Sequence, residues 1–228
     1  MIGVFDSGVG GLTALGSLRA LMPSADICFY ADRKNSPYGT KSEEELLKIT
    51  KNAISRLRDE GADFILMACC TASTVYPLLP KDEREICLPI IKPTAKRAVS
   101  LTENGKIGVI ATERTVSSHA FKNEINSLLP TASVTEIATQ SLVTLAEEGE
   151  CGAYASEKAI SKIEALISPF IKNEPDTLIL GCTHFPIFKK TISDLLPNTA
   201  IVSCSDEGAR ALAQRCTDTG EGRLNFLF

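Results

Sequence analysis

Residues 64–76, FILMACCTASTVY, decide the fold, because residues 177–188, TLILGCTHFPIF, echo them. Each stretch opens on an apolar run, Phe64 to Met67 and Thr177 to Leu180, that reads as a buried parallel strand. Each then meets a small residue, a cysteine and a threonine, and a helix is predicted to follow. Cys69 and Cys182 therefore fall at the carboxyl ends of strands, where open α/β sheets bind their ligands. A helix start there offers free N–H groups and a positive dipole end, which predicts a thiol shifted toward thiolate.

Working outward, strands and helices alternate. Ile2–Phe5 reads as a strand running into the turn Asp6-Ser7-Gly8-Val9-Gly10-Gly11, which opens a helix to about Leu21. Residues 26–30 are a second strand, and 31–41 a loop with a Pro37-Tyr38-Gly39 turn. Ser42 and Glu45 form a capping box. The helix it starts carries Leu46, Ile49, Ala53, Ile54 and Leu57 at helical spacing and stops near Gly61. Strand 88–91 follows the first cysteine segment, and Pro93 begins a helix to about Glu103. Lys106–Ile110, KIGVI, then repeats the opening IGVF, with a turn at 111–115 leading to a helix. A strand at 133–138, a short helix near 141–149, a long helix near 155–171, a strand at 200–203 and a helix at 207–216 with Ala211 and Leu212 inward complete the pattern. Such alternation predicts an α/β protein with mostly parallel sheets flanked by helices, in two similar lobes with a cleft between them.

Composition bounds the function. The 228 residues are 44% hydrophobic and 23% charged, as in ordinary globular proteins, and a net charge of −4 argues against nucleic acid or an anionic membrane as partner. An anionic substrate would then be held by local donors rather than drawn in by the overall field. The start, MIGVFDSGVGG, lacks the basic and apolar signature of a signal peptide. The longest uncharged run, Phe64 to Pro80, is shorter than the ~20 residues of a membrane span. A cytoplasmic location is expected. The eight cysteines then read as reduced thiols, most of them small buried hydrophobes.

Among chemical readings, the glycine-rich turn lacks the P-loop lysine and the G-x-G-x-x-G spacing, so a phosphate cradle is disfavoured. Asp6 fits a proton acceptor, an ammonium ligand or a helix cap. Cys69-Cys70 and Cys182-x-His184 lack the Cys-x-x-Cys spacing of zinc or redox sites, so no metal is expected. Two thiols, one per lobe, suit moving a proton between the faces of one carbon, which inverts configuration. His184, two residues beyond Cys182, fits an activating role; His119 reads as a structural residue within a helix.

The stretches IGVFDSGVGGLT (2–13), SPYGTKS (36–42), ACCTAS (68–73), IGVIATERTV (107–116), LAEEG (145–149) and LGCTHFP (180–186) together resemble the cofactor-independent aspartate/glutamate racemase superfamily, glutamate racemases in particular. The resemblance implies Cys69 and Cys182 as the two bases acting on the α-carbon of free glutamate without pyridoxal phosphate or other cofactor, with Asp6, Glu147 and His184 assisting. It places Asp6, Ser7, Pro37, Tyr38, Gly39, Cys70, Thr71, Thr112, Thr115 and Thr183 on substrate-binding positions. It also implies a small-molecule substrate, a role in supplying D-glutamate for peptidoglycan, and allows a homodimer. The C-terminal helix should return to the first lobe, giving 1–92 plus about 206–228 as one lobe and 93–205 as the other. Position 70 departs from the family's Ala-Cys-Asn-Thr, and the segment before Glu147, ATQSLVTLAE, lacks the usual Cys-Pro and a later Pro. Cysteine is a poor donor and acceptor compared with an amide. Three consequences stay open: weaker substrate binding, compensation by another group, or a different substrate. Aspartate or broad-specificity racemases, a single-thiol decarboxylase and a non-catalytic binding protein on this scaffold are the alternatives.

Overall fold

The computed structural model describes residues 1–150, 156–173 and 175–228. Cys151, and position 155 where the long helix is expected to begin, lie outside them. In chain order the first half runs β1 (Ile2–Asp6), α1 (Leu12–Leu21), β2 (Ile27–Ala31), α2 (Glu43–Asp59), β3 (Phe64–Met67), α3 (Cys70–Ser73), α4 (Lys81–Ile86), β4 (Cys87–Pro89) and α5 (Ile91–Leu101). The second half runs β5 (Lys106–Ala111), α6 (Glu113–Ser117), α7 (Ala120–Leu128), β6 (Ser133–Ala138), α8 (Gln140–Glu147), α9 (Glu157–Asn173), β7 (Thr177–Gly181), α10 (Lys189–Leu195), β8 (Ala200–Ser203), α11 (Cys204–Ala213) and β9 (Leu224–Leu227).

The strands form two sheets, ordered β4-β3-β1-β2-β9 and β6-β5-β7-β8, and every pairing is parallel. Reversing the second order gives β8-β7-β5-β6, which matches the order β4-β3-β1-β2 strand for strand. The repeat of IGVF in KIGVI, and of one cysteine strand in the other, is thus a repeat of position within a sheet. β1, β2 and β7 are buried at every residue, the mark of parallel strands covered by helices on both faces.

One apolar cluster fills the space between the sheets. It joins Val4, Phe29 and Leu66 to Val109, Ile179 and Val202 through Ala14, Leu18, Ala95, Ala98, Ala209 and Leu212 of α1, α5 and α11. Small side chains on these helices let them pack closely: Gly208 of α11 would, with a Cβ, come within 2.6 Å of Ile90. The outer faces are separate clusters, under α2 on the first sheet and under α9 on the second.

Local chemistry explains the boundaries. Ser42 accepts from Glu45 N–H while Glu45 reaches back to Ser42 N–H, closing the expected capping box, a device that contributes about 1 kcal/mol. Thr112 and Ser203 cap α6 and α11 through their hydroxyls, so both helices begin earlier than the sequence suggests, α11 at Cys204 rather than 207. Ala211 is accordingly only half-buried, and Gly208 and Ala209 take the inner face with Leu212. α5 likewise starts at Ile91 and shortens the strand before it to Cys87–Pro89. His119 does not lie within a helix: its φ of 52° breaks the chain between α6 and α7, and Nδ1 meets Glu136 Oε2 at 2.7 Å. Beyond α11 the chain returns to the first sheet as β9. Asp26 holds it there, accepting from the N–H groups of Glu221 and Arg223 and from the Arg223 guanidinium.

Candidate active site

In both sheets the connections diverge on either side of the first strand, so a crevice opens between the carboxyl ends of β1 and β3 and between those of β5 and β7. The residues just past these four ends face one another across a single cavity of about 180 Å³. Ser7 follows β1; Cys69, Cys70 and Thr71 follow β3; Thr112 follows β5; Cys182, Thr183 and His184 follow β7. The loop Ser36–Gly39 and one face of α8 complete the wall.

The thiols are nearly closed off from solvent, Cys69 at 6% and Cys182 at 7% exposure. Cys69 Sγ lies 3.8 Å from Ser7 Oγ, and the N–H groups of Ser7 and Ala72 also reach it. Cys182 Sγ is 3.7 Å from His184 Nδ1 and receives the His184 N–H. The expectation of lowered thiol pKa values is not met. Burial, reinforced by the negative charge of Asp6, pushes Cys69 up to about 12. Burial raises Cys182 well above its ordinary value too. The helices are too short to reverse this: α3 is one turn, and the segment after Cys182 is a 3-10 turn, Phe185–Phe188, before α10 begins. A dipole effect confined to the first turn is outweighed by desolvation. Burial thus favours the neutral form of both thiols.

Behind Cys182 stand groups able to change that. His184, buried, turns Nε2 toward Glu147 Oε1 at 3.6 Å, beyond hydrogen-bond length, and Nε2 has no other partner among the described residues. Glu147 is half-exposed at the cavity mouth. A sulfur–imidazole–carboxylate line thus leads from Cys182 to solvent. Asp6 is fully buried and lies behind the cavity wall. Its Oδ1 accepts from Thr183 Oγ1 at 3.1 Å and its Oδ2 from Gly8 N–H at 2.9 Å. Burial raises its pKa, opposed by the charge of His184 and by those hydrogen bonds.

Hydroxyls and a rigid loop shape the rest. Thr71 Oγ1 is 2.9 Å from Thr112 Oγ1 and 3.3 Å from Thr115 Oγ1, linking the two lobes. Thr115 is wholly buried and backs Thr112 without reaching the cavity. Tyr38 donates its hydroxyl to Asp32 Oδ2 at 2.7 Å, and Asn35 donates to both Asp32 oxygens, so a buried carboxylate fixes the Ser36–Gly39 loop. Cys70 borders the cavity, yet it belongs to the apolar cluster between the sheets and sets its thiol against Cys204.

Of the residues singled out in the sequence, the structure gathers Ser7, Pro37, Tyr38, Gly39, Cys69, Cys70, Thr71, Thr112, Glu147, Cys182, Thr183 and His184 around the cavity, and sets Asp6 and Thr115 one layer behind. Sequence reasoning missed Gln140, Val143 and Thr144. With Glu147 they occupy i, i+3, i+4 and i+7 of α8, a single helix face. Counting back from Glu147 at helical spacing would have found them. No Lys or Arg lines the cavity among the described residues, so an anion would be held by N–H, hydroxyl and amide donors.

Two parallel α/β sheets in matching order thus each bring a thiol, at the same strand end, to one shared cavity. The chain belongs to the Asp/Glu/Hydantoin racemase family, which matches residues 17–212. It is 36% identical over 212 residues to the glutamate racemase of Desulforudis audaxviator, covering 92% of this chain and 77% of that protein. With the glutamate racemase of Aquifex pyrophilus it shares 36% over 230 residues, covering all of this chain and 87% of the relative. The structure of Francisella tularensis glutamate racemase in complex with D-glutamate superimposes with a TM-score of 0.88 at 28% identity, covering 99% of this chain and 86% of that one.

Proposed function

We propose that this protein is a glutamate racemase that interconverts L- and D-glutamate with Cys69 and Cys182 as the two acid–base groups. The observation that carries the reading is that these thiols occupy equivalent strand ends of two like sheets and open into one cavity. A substrate α-carbon between them presents one face to each. The thiolate on one side takes the α-proton, and the thiol on the other returns a proton to the opposite face. As burial favours the neutral form of both thiols, ionisation of one is assisted by the substrate on entry. The substrate ammonium favours the anion by charge, and the residues behind each sulfur can accept its proton: His184, with Glu147 beyond, behind Cys182, and Asp6 close enough to Cys69 to raise its pKa. Ser7, Thr71, Thr112, Thr183 and the Pro37–Gly39 loop hold the substrate's charged ends, and Thr115 orients Thr112.

The glutamate racemases among its relatives and the two thiols opening into one cavity support this reading over the alternatives. A single-thiol decarboxylase would leave Cys182 without a task. We further propose a cytoplasmic enzyme whose D-glutamate feeds peptidoglycan assembly; no helix among the described residues is long and apolar enough to cross a membrane. The test is circular dichroism of L-glutamate, and separately L-aspartate, incubated with metal-free protein and no added cofactor. Loss of ellipticity with glutamate supports the reading. Loss with aspartate alone would move the substrate to that acid, and none with either would reject racemisation of both.

A further inference from the structure

We infer that Gln140 is a substrate-contacting residue that supplies the amide contact position 70 no longer makes. This rests on the racemase reading of the site. Position 70 carries a cysteine whose thiol is turned to Cys204 in the core between the sheets. On the opposite wall, Gln140, the first residue of α8, lines the same cavity. Its Oε1 is buried and has no hydrogen-bond partner among the described residues. A buried amide end without a partner is costly, and native proteins retain such groups where something else completes them.

The placement is tight. A Cβ on Gly39 would come within 2.9 Å of Gln140 Oε1 and 3.4 Å of Thr112 Cβ. The amide thus projects across the cleft to the substrate-holding loop of the other lobe, beside the threonine cluster. It stands on the α8 face that also carries Val143, Thr144 and Glu147, and Glu147 in turn faces His184. With no Lys or Arg on the wall among the described residues, the carboxylates of an acidic amino acid would be met chiefly by hydroxyl, amide and N–H donors. Gln140 is the one side-chain amide on the wall among the described residues, and an amide offers both an acceptor for an ammonium and two donors for a carboxylate, whichever way round it sits. Cys70, after β3, and Gln140, on α8, thus face the same cavity from the two lobes.

The test compares Gln140→Met, which keeps length and packing, with Gln140→Glu and with the double variant Cys70→Asn/Gln140→Met. Binding of glutamate, aspartate and alanine is measured by calorimetry and glutamate turnover by circular dichroism; far-UV spectra and melting check folding. Gln140→Met should weaken binding of whichever amino acid the native protein binds by about 10–100-fold, raise KM more than it lowers kcat, and leave melting unchanged. Gln140→Glu should be weaker still for acidic amino acids, through charge repulsion. Cys70→Asn should recover part of the loss in the Met background. Gln140→Met that binds and turns over like the native protein would overturn the inference. Turnover is a separate readout: a native protein that binds these amino acids but racemises none refutes the racemase reading while the binding comparison still decides the role of Gln140, and one that binds none of them refutes both.

Discussion

Replacing Gly10 by alanine probes the site with one methyl group. Gly10 lies in the 3-10 turn Val9–Gly11, where its φ is outside the left-handed region, so alanine carries no backbone penalty. The added Cβ would fall 2.6 Å from both His184 Nδ1 and Thr183 Oγ1. Ordinary contacts begin at 3.4 Å, so the neighbours must give way by about 0.8 Å (3.4 − 2.6). Neither is free to do so cheaply: Thr183 Oγ1 is bonded to Asp6, and His184 Nδ1 lies 3.7 Å from Cys182 Sγ. Overpacking of this kind costs about 1–3 kcal/mol. At 2–4 °C per kcal/mol for a chain of this size, the melting temperature should fall by roughly 2–12 °C. Displacing a proton-transfer group by close to 1 Å costs about 10²-fold in rate, so kcat/KM on glutamate should fall by about that factor, mostly in kcat. Gly16→Ala is the control: it meets nothing within 4 Å inside α1 and should stabilise by about 0.5–1 kcal/mol without touching activity. A folded Gly10→Ala protein with kcat/KM within about twofold of the native value would refute the placement of His184 and Thr183 in the machinery.

Cys69→Ser and Cys182→Ser should each lower racemisation by about 10²–10⁴-fold while the far-UV spectrum is kept, because a serine hydroxyl is too weak an acid and base at neutral pH. Since burial raises both thiols, Cys69 to about 12, the logarithm of kcat/KM should climb with pH between about 6 and 9 with a slope near one; a plateau beginning below pH 7 would show that the resting thiols are already ionised. The same sign governs stability: the contribution of Cys69 is complete below its ordinary pKa of 9.0 and is lost as pH rises toward about 12. Asp26 has the opposite sign. Its hydrogen bonds to Arg223 and Glu221 hold it near 2, so its hold on β9 is present above 3.8 and is lost as pH falls toward 2. Asp26→Asn should therefore speed amide exchange across Leu224–Leu227 at pH 7, and unchanged protection would contradict the anchor.

Strand–helix alternation made the α/β class readable because buried parallel strands such as TLILG are apolar throughout and sit between amphipathic helices such as α2. The cysteines could be placed at strand ends for the same reason. What escaped had weak local signals. β9 is an exposed edge strand of four residues whose place is fixed by Asp26, some two hundred positions earlier. α4 buries none of its residues and so shows no apolar stripe. The turn at His119 depends on a left-handed residue that sequence does not announce. The thiol pKa values turned on the balance between a helix terminus and burial, and burial is a property of the assembled cleft. Helical spacing back from Glu147 points to the position of Gln140, but its chemistry lies in an oxygen with no partner among the described residues, which only the assembled structure displays.

Racemisation by two bases on opposite faces is tested most directly in D₂O. L-glutamate is incubated with the enzyme to a few per cent conversion, the enantiomers are separated, and deuterium at the α-carbon of each is measured by mass spectrometry. With one thiol facing each side, the D-glutamate formed should carry solvent deuterium in nearly every molecule while the recovered L-glutamate remains almost unlabelled, and the same should hold starting from D-glutamate. Equal early labelling of product and recovered substrate would contradict the account, because it requires one group to remove and return the proton.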